Sequence, residues 1–258
     1  MRDRLVHNAI YRLLYPFYDP TFIFDSYSCR EGKGTHKAFD RLKRQIVTCS
    51  QNYTKPCFAL KGDIRRFFDS IDHTILMQLL SKKIADQRLL ALLGRIVSSF
   101  EVKSGKGMPI GNLTSQLFAN VYLDPMDKFV KHKLKAHYYL RYADDFLILA
   151  NSEPELLGYF VEIWRFLKET LLLDLHPDKL SLRKLSWGID FVGYVALPHY
   201  ALPRRKTVQR IFKQIGKINN PIQLSAALDS YLGYLQHANS KKIQGNLKER
   251  ALSVFDSL

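Results

Sequence analysis

Cysteine is scarce in this chain: Cys29, Cys49 and Cys57 are the only three in 258 residues, and no CxxC pair occurs. An odd, scattered set argues against a disulfide framework or a thiolate zinc module and fits a reducing compartment. Long apolar runs are missing too. Nothing approaches the ~20 residues of a membrane-spanning helix, no basic amphipathic anchor stands out, and Met1–Tyr11 lacks the apolar stretch of a signal peptide. A cytoplasmic protein with no membrane partner is expected, and the glycosylation-type triplets at Asn52 and Asn112 are then chance matches. There is no internal repeat and no low-complexity segment. Acidic residues are few, 24 against 39 Lys and Arg, a formal net charge of +15. Such a surplus favours polyanionic partners through counterion release, although a merely basic protein shares the same balance.

What is present is a core-forming chain. It is 47% hydrophobic, with 14 Tyr and 16 Phe, enough for one large domain or two small ones. The first fifty residues read as two basic helices around an irregular stretch, 24–35. Residues 57–64 form an apolar run ending at Asp63, a buried strand. The cluster Asp69-Ser70-Ile71-Asp72 offers N-caps for a helix to about Ile84, with Ile75, Leu76, Leu79 and Leu80 on one side. A loop with three glycines, 105–111, leads to a helical pattern that Pro125 is expected to kink or interrupt before 126–134. Two aromatic-rich runs, 138–143 and 146–150, flank Asp144-Asp145 and predict a hairpin with the acids at its tip. Ser152-Glu-Pro-Glu155 has the pattern of a capping box, ahead of a stripe of Leu156, Phe160, Ile163, Leu167 and Leu171. Residues 187–196 read as a strand or hairpin. From Arg204 onward the chain is basic and helical, broken at Asn219-Asn220-Pro221. This order of elements predicts an α+β fold, a sheet with helices on one face, and a soft boundary near Pro203.

The acids suggest chemistry. Joining a nucleotide to a hydroxyl uses two divalent ions, one activating the hydroxyl and one holding the triphosphate, and such hard ions prefer carboxylate oxygens. Asp63 at a strand end and Asp144-Asp145 at a hairpin tip supply that donor set. Adjacent acids repel, so a bound cation is a natural reason for them; a solvated turn is the alternative, because Asp is a common turn residue. Asp63 in its own strand-end context tips the balance toward metal. The histidines His73, His132, His137 and His199 have no partner at metal-ligand spacing and read as structural.

In order along the chain stand Arg30-Glu-Gly-Lys-Gly-Thr-His36, Asp63 followed by Phe67-Phe68, Pro109-Ile-Gly111, Tyr142-Ala-Asp-Asp145, Leu175-His-Pro-Asp-Lys179, Phe191-Val-Gly-Tyr194 and Gly233-Tyr-Leu-Gln-His-Ala238. This series resembles the reverse transcriptases over nearly the whole chain. The resemblance implies a right-hand polymerase palm, an antiparallel sheet with helices on one face, with reduced fingers and a short helical thumb. It divides the chain into partial fingers, 1–56, a palm, 57–203, with finger elements at about 74–107, and a thumb, 204–258. It also implies two Mg²⁺ ions, or Mn²⁺, an RNA template, a DNA or RNA primer and dNTPs.

Residue by residue, the resemblance assigns metal binding to Asp63, Asp144, Asp145 and the carbonyl of Ile64. Lys179 resembles the lysine that protonates departing pyrophosphate; a solvated lysine after a turn is the other reading. Phe68 resembles the steric gate against a ribose 2′-hydroxyl, or is core. Arg65 and its neighbour Arg66 reach phosphate or face solvent. Arg30 and Lys33 resemble fingers residues near template or nucleotide, Phe191, Gly193 and Tyr194 a primer grip, and Arg204, Arg205, Lys206 and Arg210 contacts to the primer–template backbone. Family members carry a basic hairpin ahead of the stretch resembling Met1–Leu5, of which Arg2 and Arg4 match the edge; reduced fingers are therefore expected.

Within the family, Pro109, Ile110, Gly111 and Gln116 resemble most closely the enzymes of diversity-generating retroelements, bacterial or phage-encoded. Most relatives have Gln at the position of Ile110 and Pro at that of Gln116. The resemblance implies error-prone copying of template adenines; a physical reason is that a glutamine there can hydrogen-bond beside the nascent pair, whereas isoleucine can only pack and so tolerates a poorly fitting pair. Ile110 packing on the palm is the bland alternative. Retron, group II-like or phage-defence enzymes, and an RNA-binding subunit without catalysis, are the other readings. A small accessory protein is a further partner by resemblance.

Overall fold

The computed structural model describes residues 2–255, with side chains from Arg4 onward, so the expected roles of Met1 and the Arg2 side chain lie outside the described residues. The chain divides between Leu182 and Arg183 into two compact units. The boundary expected near Pro203 falls inside the second, at the end of a strand.

In the first unit, α1 (Arg2–Tyr18) and α2 (Thr35–Cys49) flank an irregular segment. Ile10, Leu14 and Tyr18 recur every fourth residue of α1 and are buried, which turns one face onto α6 (Leu113–Lys128). Strand β1 (Phe58–Asp63) is followed by the short α3 (Phe67–Ser70), then α4 (His73–Ser81) and α5 (Gln87–Ser98). Of the N-cap candidates before α4, Asp72 is used: its carboxylate accepts from the amides of Thr74 and Ile75. The helix ends at Ser81 rather than Ile84.

Helix α6 does not break at Pro125. It runs through to Lys128 and then widens into a π-turn over Phe129–Lys133. The proline costs one backbone bond, but α6 is buried along most of its length, and packing on nearly every side outweighs that loss. The π-turn takes up the register shift. Strands β2 (Tyr138–Tyr142) and β3 (Asp145–Ala150) make the expected hairpin, followed by α7 (Glu153–Thr170) with Leu156, Ile163 and Leu167 fully buried. Ser152 is the N-cap of α7 by position, but its hydroxyl makes no cap bond. Glu155 instead accepts from Tyr159 one turn on, at 3.0 Å, so the capping box does not form.

Strand β4 (Ser181–Lys184) completes a four-stranded sheet of order β2-β3-β1-β4, in which β2, β3 and β1 pair antiparallel. The registers Asp63↔Asp145, Lys61↔Leu147 and Tyr142↔Asp145 decide which residues share a face. Leu60, Gly62, Tyr139, Arg141, Phe146 and Ile148 line the core face, against which α6 and α7 pack. Ala59, Lys61, Asp63, Leu140, Leu147 and Asp145 line the other. Helix α2 packs on β2 and β3, over the end of that second face away from the acids. The free edge of β2 is capped by one bridge, Ser26 to Arg141, which spares it from pairing with another chain.

The second unit contains a three-stranded antiparallel sheet, β5 (Ile189–Phe191), β6 (Tyr194–Leu197) and β7 (Tyr200–Pro203), of which β7 is absent from the sequence reading. Three helices follow: α8 (Arg205–Ile215), α9 (Pro221–Leu235) and α10 (Lys241–Phe255). The helical stretch breaks at Asn219-Asn220-Pro221 as expected, and Asn220 caps α9 by accepting from the amide of Gln223. Ile211, Ile215, Leu224, Leu235 and Leu247 form a small core of their own.

Candidate active site

β1 ends where the β2–β3 hairpin turns, and the register does the rest. Asp63 and Asp145 are direct cross-strand partners, and neighbours of this kind have Cβ atoms about 5 Å apart. Asp144 occupies the two-residue turn with Ala143. Its carbonyl accepts from the Ile64 amide at 3.3 Å, which ties the turn to the end of β1. The three acids are thus gathered at one end of the sheet, where β1 stops and the hairpin turns. Ala143 has φ +54°, a left-handed conformation that costs alanine about 1–2 kcal/mol, so the turn holds its shape only under outside restraint.

Burial makes the cluster electrostatically tense. Asp63 is 7% exposed. Burial is the main cause that pushes the Asp145 carboxyl up to about 6; Asp63 and Asp144 add to it and Lys61 opposes it. Asp144 is raised as well, again mainly by burial. Two lysines answer the charge. Lys61 Nζ lies 3.5 Å from Asp145 Oδ2, and Lys179 Nζ lies 2.9 Å from both oxygens of Asp63. That hydrogen bond raises the Lys179 ammonium above its ordinary value.

Among the described residues, no three His, Cys, Asp or Glu side chains stand in a metal-holding arrangement, and Asp63 faces Lys179. The donor set nevertheless fits hard divalent ions. It is made of carboxylate oxygens, burial and then the neighbouring acids raise Asp144 and Asp145, and the ammonium of Lys179 already stands against Asp63. The Lys179 side chain is 54% exposed and can leave Asp63 without repacking a core.

Other residues singled out in the sequence fall into three groups. Phe68 and the glycine loop come together: the Phe68 carbonyl accepts from the Met108 amide at 2.8 Å, and Pro109, Ile110 and Gly111 follow directly. Phe68 is half-buried with its ring 5.3 Å from Phe67, which is core. Ile110 is 79% exposed, so it does not pack on the palm. Gln116 is half-buried in the first turn of α6 and Arg65 is exposed. Arg30 and Lys33 are engaged locally. Arg30 clamps its own loop, pairing with Asp19 at 2.6 Å and with the carbonyls of Ile23 and Ser26. Lys33 donates to the Phe24 carbonyl and sits 3.5 Å above that ring. Phe191, Gly193 and Tyr194 belong to the second unit. Val192 and Gly193 both have positive φ between the paired Phe191 and Tyr194, a tight two-residue turn. Tyr234 stacks on Tyr194 and donates to the Gly193 carbonyl.

Sequence reasoning missed the residues that support the hairpin. Arg141 is fully buried and paired with the equally buried Asp127 at 2.7 Å, with Tyr139 donating to the same carboxylate. The signal was available: a charged residue inside an apolar strand, and another inside a nearly all-buried helix.

Comparison with known proteins agrees with this geometry. Residues 1–196 match the family described as reverse transcriptase (RNA-dependent DNA polymerase). Protein YkfC of Escherichia coli (strain K12) is 25% identical over 232 residues, covering 75% of this chain and 60% of that protein. The group II intron-encoded protein LtrA of Lactococcus lactis subsp. cremoris is 31% identical over 260 residues, covering 74% of this chain and 42% of its own length. The match thus spans 60% or less of these curated relatives. The fold is shared with apo telomerase from Candida tropicalis, at TM-score 0.64, 13% identity and coverage of 97% of this chain and 49% of that one. Telomerase from Candida albicans in complex with a fragment of telomeric RNA gives TM-score 0.61 at 14% identity, covering 96% and 47%.

Proposed function

Because this chain belongs to the reverse transcriptase family, we propose that it is an RNA-directed DNA polymerase whose acids Asp63, Asp144 and Asp145 carry nucleotidyl transfer. The observation that supports this most directly is the cross-strand pairing of Asp63 with Asp145 beside the Asp144 turn. Those carboxylates, with the Ile64 carbonyl, would hold two Mg²⁺ ions, or Mn²⁺, which when bound activate the primer hydroxyl and neutralise the triphosphate. Lys179 leaves Asp63 as its charge is compensated and delivers a proton to the departing pyrophosphate. Phe68, beside the Pro109–Gly111 loop, excludes a ribose 2′-hydroxyl. Arg65 takes a phosphate, and Arg204, Arg205, Lys206 and Arg210 hold the primer–template backbone. In this reading residues 57–203 serve as palm and 204–258 as thumb, with Phe191, Gly193 and Tyr194 on the primer. RNA template, primer and dNTPs are the partners, and the compartment is the cytoplasm. No described helix is long and apolar enough to cross a membrane.

The finer reading, error-prone copying at template adenines in a diversity-generating retroelement, is favoured by one observation: Ile110 stands exposed on its loop, free to lie against a base pair with no hydrogen bond to offer. An accessory protein belongs to that reading only. The test is primer extension on an RNA template with Mg²⁺, wild type against Asp144→Ala, with the product sequenced. Expected are cDNA from wild type, none from the variant, and errors concentrated opposite adenine. Faithful cDNA would favour a retron, group II-like or defence enzyme. RNA binding without incorporation would favour a non-catalytic subunit.

A further inference from the structure

We propose that Arg141 is a positioning residue of the active site: its guanidinium holds the Ala143 carbonyl and so sets the directions in which Asp144 and Asp145 point. What the acids do rests on the polymerase reading above; the geometry that holds them stands by itself.

Every nitrogen of this guanidinium is engaged. Nε donates to both oxygens of Asp127, at 2.8 and 3.0 Å. Nη2 donates to Asp127 Oδ2 at 2.7 Å and to Ser26 Oγ at 3.0 Å. Nη1 donates to Asn120 Oδ1 at 3.2 Å and to the Ala143 carbonyl at 3.0 Å. Asn120 in turn donates to the Ser28 carbonyl at 3.0 Å. The backbone of Arg141 is used as well, its amide on the Asp25 carbonyl and its carbonyl on the Tyr27 amide, both at 2.9 Å. One side chain therefore joins α6, the segment 25–28 and the turn that carries the acids.

The turn needs such a partner. Alanine at φ +54° sits in the disfavoured left-handed region, which the contacts around the turn must hold. The two carbonyls of the turn are pinned separately. Asp144 O is taken by the Ile64 amide from β1, and Ala143 O by Arg141, whose side chain lies on the sheet face opposite to Asp145. Only a planar fork can span Asp127 and Ala143 together; a lysine ammonium is a single point.

Stability alone does not explain the pair. A buried ion pair is commonly no better for folding than packed apolar residues of the same volume. Its geometric contribution, a donor fixed by bidentate anchoring and aimed at one carbonyl, is what an apolar pair cannot supply.

The test compares Arg141→Lys with Ser26→Ala, which removes one bond to the same guanidinium without touching Ala143. Each is measured for thermal melting, for Mn²⁺ binding by calorimetry, and for single-nucleotide incorporation over a range of Mg²⁺ and dNTP. Arg141→Lys is expected to weaken Mn²⁺ binding about 10–100-fold and to lower kcat with little change in KM for dNTP. Ser26→Ala should melt lower with metal binding unchanged. Should Arg141→Lys fail to fold, the double variant R141M/D127L removes the ion pair whole and should fold with the same loss of Mn²⁺ binding. An Arg141→Lys or R141M/D127L protein that folds and binds Mn²⁺ like wild type overturns the proposal. A wild type that neither binds Mn²⁺ nor extends a primer removes the polymerase reading, an outcome distinct from a metal-binding wild type whose Arg141 variants are unaltered.

Discussion

The ammonium of Lys179 lies 2.9 Å from each carboxylate oxygen of Asp63. A half-exposed lysine thus reaches a nearly buried acid at the end of β1, and in doing so neutralises the charge that divalent ions would otherwise meet. In the proposed polymerase reading, the same contact would keep Lys179 at hand as a proton donor to the departing pyrophosphate.

Lys179→Gln separates the two roles. The lysine is exposed, so the pair contributes about 0–1 kcal/mol to stability, and melting should move by no more than ~4 °C. Rapid-quench incorporation should slow about 100-fold if the lysine is the proton donor. An unchanged incorporation rate would assign Lys179 to charge balance alone.

Asp145→Asn should trade activity for stability. The acid is buried and pushed up to about 6 by burial and by its acidic neighbours, so at neutral pH its charge opposes folding. Melting of the metal-free protein is expected to rise by about 2–4 °C, ~1 kcal/mol in a chain of this size, while primer extension disappears. A lower melting temperature would mean that Asp145 is held by contacts rather than strained by them.

Ile110→Gln addresses fidelity. At 79% exposure the side chain supports no core, and stability should stay within about 0.5 kcal/mol. Product sequencing should show fewer errors opposite template adenine. An unaltered error spectrum would remove Ile110 as the determinant.

Gly62→Ala probes the seat of Asp63. A Cβ at this position would meet the Phe146 ring at 2.4 Å, because the ring lies across the glycine on the core face of the sheet. Overpacking there should cost about 1–3 kcal/mol and shift β1 relative to β3, lowering extension as well. Denaturant melts and single-turnover rates check both; wild-type values in each would show that Phe146 yields freely.

The acid cluster was legible because its signals are local. Asp63 ends an apolar run, Asp144-Asp145 interrupts another, and a two-residue turn between strands leaves few geometries. The helix through Pro125 was not legible. The residue's local cost is visible in the sequence, but the burial around α6 that outweighs it is a property of the folded chain. Arg30 shows the converse: grouped by resemblance with nucleotide-binding residues, it spends its guanidinium on Asp19 and two carbonyls of its own loop.

By itself the sequence determined the periods of the elements, the basic charge, the family motifs and the pairing of acids with a strand end and a turn. All of these are set within a few residues along the chain. Tertiary structure alone decided that Asp63 stands opposite Asp145, that Lys179 closes on Asp63 from 116 residues away, and that Arg141 holds the turn from the other sheet face through Asp127 and Asn120. Those contacts depend on register and on the relative placement of α6 and the sheet, which are fixed only when burial of the whole core selects one arrangement among the many that local preferences allow.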